Sequence, residues 1–490
     1  MAGRTRRTPA YPGSRRRRHD MNSTASSTAP AKAIEGDVPG GLRADAIKTS
    51  RFSTSVTRHD GVAGSRGFAV APARQLHSRA DTDGPYILIA HDLTPAETQA
   101  MDLTRVSGFC TAAGGPTSHA VQAAYSLGIP TIVAAGDGVL SIPDGTVCAL
   151  DGDTGTFYSG LTGDDLASAT AHRDRRARRP RPRTNGGSPP VTLTGTITLA
   201  SQAAELREAG ADGLGLLATE LLFLGRERDL ADEEQHYAAY REIARAVGGA
   251  PVTLRTLDIG GDKEVPALGL PREDNSFLGV RGLRLSLRRQ DLFLPQLRAA
   301  YRVARDDGAQ LRLMFPMVTR VEEFLQAAET ARKVQAALGA PALPLGVMVE
   351  VPACALAVDQ FAGHVDFLSI GTNDLAQYLT AISRTSAELA CDLDPLHVAV
   401  TRTVRAVAET GASHGIPVSA CGGLAGDPVG AIVLASLGVT ALTVALPYLP
   451  DVRDALTRAD SATLATIREH ALSTGGSRHM RALVTDLLDS

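Results

Sequence analysis

His119 lies in GGPTSHAVQAAYSLGIPTIV, residues 114–133, where a glycine pair, Pro116 and two hydroxyl residues run into an apolar, helix-compatible stretch. An unprotonated imidazole there is a nucleophile. A lone histidine behind a Ser118 helix cap is also a surface bystander. A second set of polar residues sits where apolar runs end: Arg255 and Asp258 in APVTLRTLDIG, Glu350 in LPLGVMVEVP, Asn373 and Asp374 in VDFLSIGTND, and Cys421 in IPVSACGG. Glu350 and Asp374 suit Mg2+, a hard ion that takes one or two carboxylates and completes its shell with substrate oxygens and water. Arg255, Arg281 and Arg384 offer the forked donors that phosphate recognition favours. Each residue alone has a plainer role: a carboxylate caps the next helix, an arginine makes a surface pair, a cysteine fills a core. It is the combination that points to function.

Elements must hold these groups in place. PYILIAHDL (85–93), VSGFCTAAGG (106–115) and IPTIVAA (129–135) read as strands, and GTVCALDGDTGTFYSG (145–160) as a hairpin with Asp-Gly and Thr-Gly turns. With the helix after His119 they make an α/β unit over 59–165. Residues 171–190, AHRDRRARRPRPRTNGGSPP, are basic and rich in Pro and Gly, so 166–190 is expected to be a flexible linker. From 191 to 490 apolar runs alternate with amphipathic stretches such as EEFLQAAETARKVQAALG. Seven or eight such strand–helix units predict a (β/α)8 TIM-type barrel, with a doubly wound sheet as the other arrangement. A barrel would gather its polar strand ends on one face, where active sites of this architecture lie.

The bulk of the sequence excludes several classes. A net charge of -3 gives no reason to expect nucleic acid or an anionic membrane as partner. Five scattered cysteines with no CxxC pair argue against a disulfide framework or a zinc site and fit a reducing cytoplasm. No run of 18 apolar residues predicts a membrane span. Residues 1–58 are rich in Arg, Ser, Thr and Ala without periodicity and are expected to be a disordered basic tail, with Met21 a candidate start.

DFLSIGTNDLAQY followed by Arg384 resembles the signature of phosphoenolpyruvate-utilising enzymes, and GGPTSHA resembles their phosphohistidine motif. GADGLGLLATELLF, LRTLDIGGDKE, NSFLGVRGLR, LMFPMV, GVMVEVPA and ACGGLAGD follow in the order of enzyme I of the sugar phosphotransferase system, the phosphoenolpyruvate–protein phosphotransferases. The resemblance covers about residues 61 to 450. It implies a swivelling phosphohistidine domain ahead of a phosphoenolpyruvate-binding barrel, and a barrel-mediated homodimer in the cytoplasm. It further implies Mg2+ on Glu350 and Asp374, a phosphate grip from Arg255, Arg281, Asn373 and Arg384, and Cys421 as proton donor to the leaving enolate. His119 would take the phosphoryl group and pass it to a carrier protein such as HPr.

Four departures from the family pattern stand out. GLLATE carries Ala218 where the family has an arginine, Tyr125 replaces an arginine six residues after the histidine, and CGG carries Gly423 for a glutamate. Each lost charged hydrogen bond to phosphate is expected to cost about 1.5–3 kcal/mol. GVAGSRGFAVAPARQL also passes almost directly to PYILIAHDLTP, without the helical subdomain that docks HPr in enzyme I. Two readings follow: a phosphotransferase acting from phosphoenolpyruvate, or an impaired paralogue that binds it as a sensor or interaction module.

Overall fold

The computed structural model describes residues 52–489 except 79–83, 94–96, 98–100, 116–118, 178–189, 198–199, 224–225, 261–267, 271–272, 274, 385, 387–388 and 390–391. Eight short strands come first: β1 (Thr57–Asp60), β2 (Val62–Ser65), β3 (Phe68–Gln75), β4 (Tyr86–Ala90), β5 (Val106–Thr111), β6 (Thr131–Val133), β7 (Val147–Asp151) and β8 (Thr156–Ser159). They form one mixed sheet in the order β1-β8-β7-β3-β4-β5-β6-β2. β4 is buried throughout, and its period-2 alternation divides it between two cores. Ile87 and Ile89 join Ala71, Cys110, Leu150 and Phe157 on one face. Tyr86 and Leu88 face the other way and pack with Ala120 and Ala124 of the helix His119–Leu127. The expected hairpin is present as the antiparallel pair β7–β8.

Two boundaries differ from expectation. The tail expected over 1–58 lies outside the described residues up to 51, but its end is built into the sheet. β1 pairs with β8, the Ser53 N–H donates to Asp165 Oδ1 at 3.0 Å, and Phe52 packs on Tyr158 at 5.0 Å between ring centroids. An edge strand held by ladder hydrogen bonds needs little apolar sequence. The linker expected from 166 is likewise helical as far as Ala177, the helix spanning Gly163–Ala177. Its ends suit the helix dipole, with Asp164 and Asp165 in the first turn and Arg175 and Arg176 in the last. Ala169 and His172 are buried against the sheet, His172 meeting Phe68 at 4.6 Å. Residues 178–189 of that linker lie outside the described residues.

The remainder is a closed barrel of eight parallel strands: β9 (Thr192–Ile197), β10 (Leu214–Ala218), β11 (Val252–Arg255), β12 (Leu311–Phe315), β13 (Leu345–Val349), β14 (Phe367–Gly371), β15 (Val418–Cys421) and β16 (Ala441–Ala445). This is the expected TIM-type architecture. Helices such as Gln290–Asp307, Val321–Leu338 and Val398–His414 cover its outside, and a single large apolar core joins them to the strands. Ladder register fixes the site. Gly371 pairs with Cys421, Val349 with Ile370, and Ala218 with Arg255, so the residues at these strand ends share one rim.

Candidate active site at the C-terminal face of the barrel

Four strands bring their exits together. Arg255 and Cys421 end β11 and β15, Glu350 follows β13 directly, and Asn373 and Asp374 lie in the first turn of the helix Thr372–Thr380 after β14. Seven charged side chains are buried here: Glu220, Arg255, Asp258, Arg281, Glu350, Asp374 and Arg384. Burying a charge is costly unless it is paired, and most of these are. Arg281, 1% exposed, donates from Nε and Nη2 to Asp258 at 2.9 and 3.0 Å and from Nη1 and Nη2 to Asp374 at 2.8 and 3.2 Å. Arg384 Nη1 adds a bond to Asp374 at 3.2 Å. Phe277 lies under both guanidinium groups, 5.8 Å from that of Arg281 and 5.2 Å from that of Arg384, and its carbonyl is held by the Tyr378 hydroxyl.

Arg255 donates to Glu220 and lies 3.5 Å from Asp258, while its buried Nε has no hydrogen-bond partner among the described residues. The neighbouring Thr256 Oγ1 is also buried and unpartnered among them. Buried donors are rarely left unmade, so this corner is short of an acceptor. Asn373 Oδ1 accepts from the Gly423 N–H at 3.0 Å. The Cys421 thiol, 4% exposed, points at the Ile370 carbonyl at 3.6 Å.

The electrostatics follow from counting: three arginines face four carboxylates in this cluster. Burial opposes the charge on Asp374, but Arg281 and Arg384 outweigh it and hold its carboxyl down to about 2. Glu350 carries the surplus. Its Oε1 accepts the Met317 N–H at 2.8 Å, and burial together with Asp374 and Asp258 pushes its carboxyl up to about 8. Burial, with Glu350 nearby, also pushes the Cys421 thiol up to about 12, so at neutral pH it holds its proton. Burial alone would lower the Arg281 value, but Asp258 and Asp374 raise it well above the ordinary one.

These residues fit a divalent cation. A Cβ at Gly371 would lie 2.7 Å from Glu350 Oε2, so the glycine leaves room beside that oxygen. Among the described residues no three His, Cys, Asp or Glu side chains cluster as a closed metal site. Two carboxylates suffice for Mg2+, which keeps water and substrate oxygens. A dication would also offset the surplus negative charge. Held on Glu350, a Mg2+ ion would displace that carboxyl's proton, so its affinity should fall about tenfold per pH unit below about 8. Calorimetry in buffers of different ionisation enthalpy checks this, since close to one proton should be released per Mg2+ near neutral pH. Zero release would contradict it.

His119 is the first residue of the helix His119–Leu127 in the sheet domain, and the loop 116–118 before it lies outside the described residues. Three groups were not among the sequence candidates for the site: Glu220 on Arg255, the Met317 N–H on Glu350, and Phe277 under two arginines; Asp258 was a candidate, and the fold makes it the anchor of Arg281. Met317 has a left-handed backbone, φ 57, rare for a side chain of its size, and only a fold can reveal that. Ala218 pairs with Arg255 across the ladder, which sets the missing arginine of GLLATE beside that residue.

Comparison with known proteins is consistent with this geometry. The profile described as PEP-utilising enzyme, PEP-binding domain matches residues 184–461, and that of the PEP-utilising enzyme, mobile domain matches 82–155. A multiphosphoryl transfer protein of Xanthomonas campestris pv. campestris is 45% identical over 407 residues, covering 81% of this chain and 48% of its own length. One from Rhodobacter capsulatus is 40% identical, with 81% and 49% covered. The phosphoenolpyruvate-protein phosphotransferase of Haloferax volcanii is 37% identical over 472 residues, covering 92% of this chain and 83% of that protein. The chain thus spans about half the length of the multiphosphoryl transfer proteins it matches. Among the described residues no helix is long and apolar enough to cross a membrane.

Proposed function

We propose that this chain, which belongs to the family of phosphoenolpyruvate-utilising enzymes, transfers the phosphoryl group of phosphoenolpyruvate to His119 and on to a protein acceptor, releasing pyruvate. The observation that carries this reading is the buried rim cluster, in which donors of Arg255 and Thr256 without a partner among the described residues lie in one face with a carboxylate pair and a protonated thiol.

Arg255, Asn373 and Arg384 would hold the substrate phosphate. Arg281 makes four hydrogen bonds to Asp258 and Asp374, so its part is to orient Asp374 more than to grip phosphate itself. Mg2+ held by Glu350 and Asp374 would supply charge neutralisation at the phosphate and enolate oxygens. The neutral His119 imidazole attacks phosphorus, forming the P–N bond as the bond to the enolate oxygen breaks. The enolate takes the Cys421 proton at carbon and becomes pyruvate, and the thiolate regains a proton from solvent. The positive end of the dipole of the helix His119–Leu127 favours the added negative charge.

The histidine-bearing domain over 59–165 would swing between the barrel, 191–490, and the acceptor. That acceptor is a phosphocarrier of the HPr kind in a cytoplasmic phosphotransferase system, with the barrel forming a homodimer. Gln75 and Tyr86 are joined only by residues 76–85, so the carrier would dock on the sheet domain itself rather than on an inserted helical subdomain. Mixing the chain with phosphoenolpyruvate and Mg2+ should release close to one pyruvate per chain and then stop until an acceptor is added. Continuous release without acceptor, or none at saturating substrate, refutes the reading.

A further inference from the structure

Tyr125, which stands where the family pattern has an arginine, lies at the contact between the sheet domain and the barrel. Its ring packs on Tyr448 with centroids 4.6 Å apart. Its hydroxyl abuts Gly426 so closely that a Cβ there would lie 1.5 Å from Oη. That hydroxyl is buried and makes no hydrogen bond among the described residues. Other contacts surround it. Ser65 Oγ and Tyr448 Oη are 2.7 Å apart, Gln202 Nε2 donates to the Ser126 carbonyl at 3.1 Å, and Gly128 lies against Pro447. The partner surfaces on the barrel are the turns after β15 and β16, Gly423–Gly426 and Leu446–Tyr448. The first of these has two ends with different neighbours. At one end the Gly423 N–H holds Asn373, and at the other Gly426 receives Tyr125.

We propose that Tyr125 is a positioning residue: a neutral aromatic wedge that seats the His119 domain on the barrel through Tyr448 and the turn Gly423–Gly426. The stacked ring favours the seat, and the unsatisfied hydroxyl weakens it, because undocking returns that hydroxyl to water. A seat balanced in this way suits a domain that must also leave. The inference rests on the phosphotransfer reading for its purpose but not for its detection.

Hydrogen–deuterium exchange of the full chain tests it, read at the backbone of 446–449 and of the helix His119–Leu127. Tyr125→Phe removes only the unpaired hydroxyl and should slow exchange there about fivefold or more, by the cost of an unmade buried hydrogen bond. Tyr125→Ala and, independently, Tyr448→Phe should speed it. If labelling from phosphoenolpyruvate occurs, Tyr125→Ala should lower its maximal rate much more than it shifts the half-saturating phosphoenolpyruvate concentration, since Tyr125 meets the turn at Gly426 and Asn373 is held at the other end, at Gly423. Exchange within twofold of wild type in Tyr125→Phe and in both loosening variants overturns the proposal. A wild-type chain that takes no label would instead refute the phosphotransfer reading, and the exchange data would still decide the role of Tyr125.

Discussion

Replacing Arg281 with methionine should destabilise the barrel by about 3–5 kcal/mol, the cost typical of removing one partner from a buried ion pair. Arg281 is 1% exposed and bonded to both Asp258 and Asp374, themselves 0% and 6% exposed. Methionine roughly matches the stem's volume but leaves two carboxylates facing each other without their shared cation. They would then take up protons, and Glu350 would feel a changed field. Stability should therefore fall most above neutral pH, where those protons are hardest to hold, and part of the loss should return in acid. Urea denaturation followed by circular dichroism at several pH values reads both effects. A loss below about 1 kcal/mol, the size of a surface pair, would mean the network is not structural. Arg281→Lys should fall between, since one ammonium cannot span both carboxylates as the planar fork does.

Cys421→Ala should slow pyruvate release by about 10²–10⁴-fold, the usual contribution of a positioned general acid. The thiol is suited to that task because burial, with Glu350 nearby, pushes it up to about 12 and keeps it protonated at working pH. Alanine removes the proton but little volume, and Cys421 lies with Met314, Met348 and Phe367 in a small apolar cluster inside the barrel. Half-saturation by phosphoenolpyruvate should therefore stay within a few fold of wild type. The split separates proton donation from packing. A rate within tenfold of wild type would remove Cys421 from the chemistry, and a large rise in half-saturation would assign it to binding.

Much of this architecture could be read from residue order because buried parallel strands leave continuous apolar runs with polar exits. The runs ending in Arg255, Glu350, Asn373–Asp374 and Cys421 are β11, β13, β14 and β15. The eighth strand was harder to read. β16 lies in GAIVLASLGVTALTVALPYL, residues 430–449, where a buried helix and a buried strand follow each other with almost no polar break. Periodicity cannot separate two elements that are buried on every side. The helix Gly163–Ala177 was obscured in the opposite way, by arginines that suggest a linker but are good helix formers. Pairings within the site were hidden for a third reason. Sequence marks Arg281 and Arg384 as cations for phosphate, and only the fold shows Asp374 accepting from both. Tyr125 belongs here as well: the sequence shows an arginine lost, and the structure shows a domain contact made.

Phosphorylation of His119 by phosphoenolpyruvate is read by incubating the full chain with Mg2+ and phosphoenolpyruvate radiolabelled in its phosphate. Wild type should take up close to one label per chain, acid-labile and alkali-stable as a phosphohistidine is, recovered on the peptide that contains residues 114–127, with none on His119→Ala. Label that survives in His119→Ala, or no label on wild type under conditions where calorimetry shows phosphoenolpyruvate bound, would contradict it.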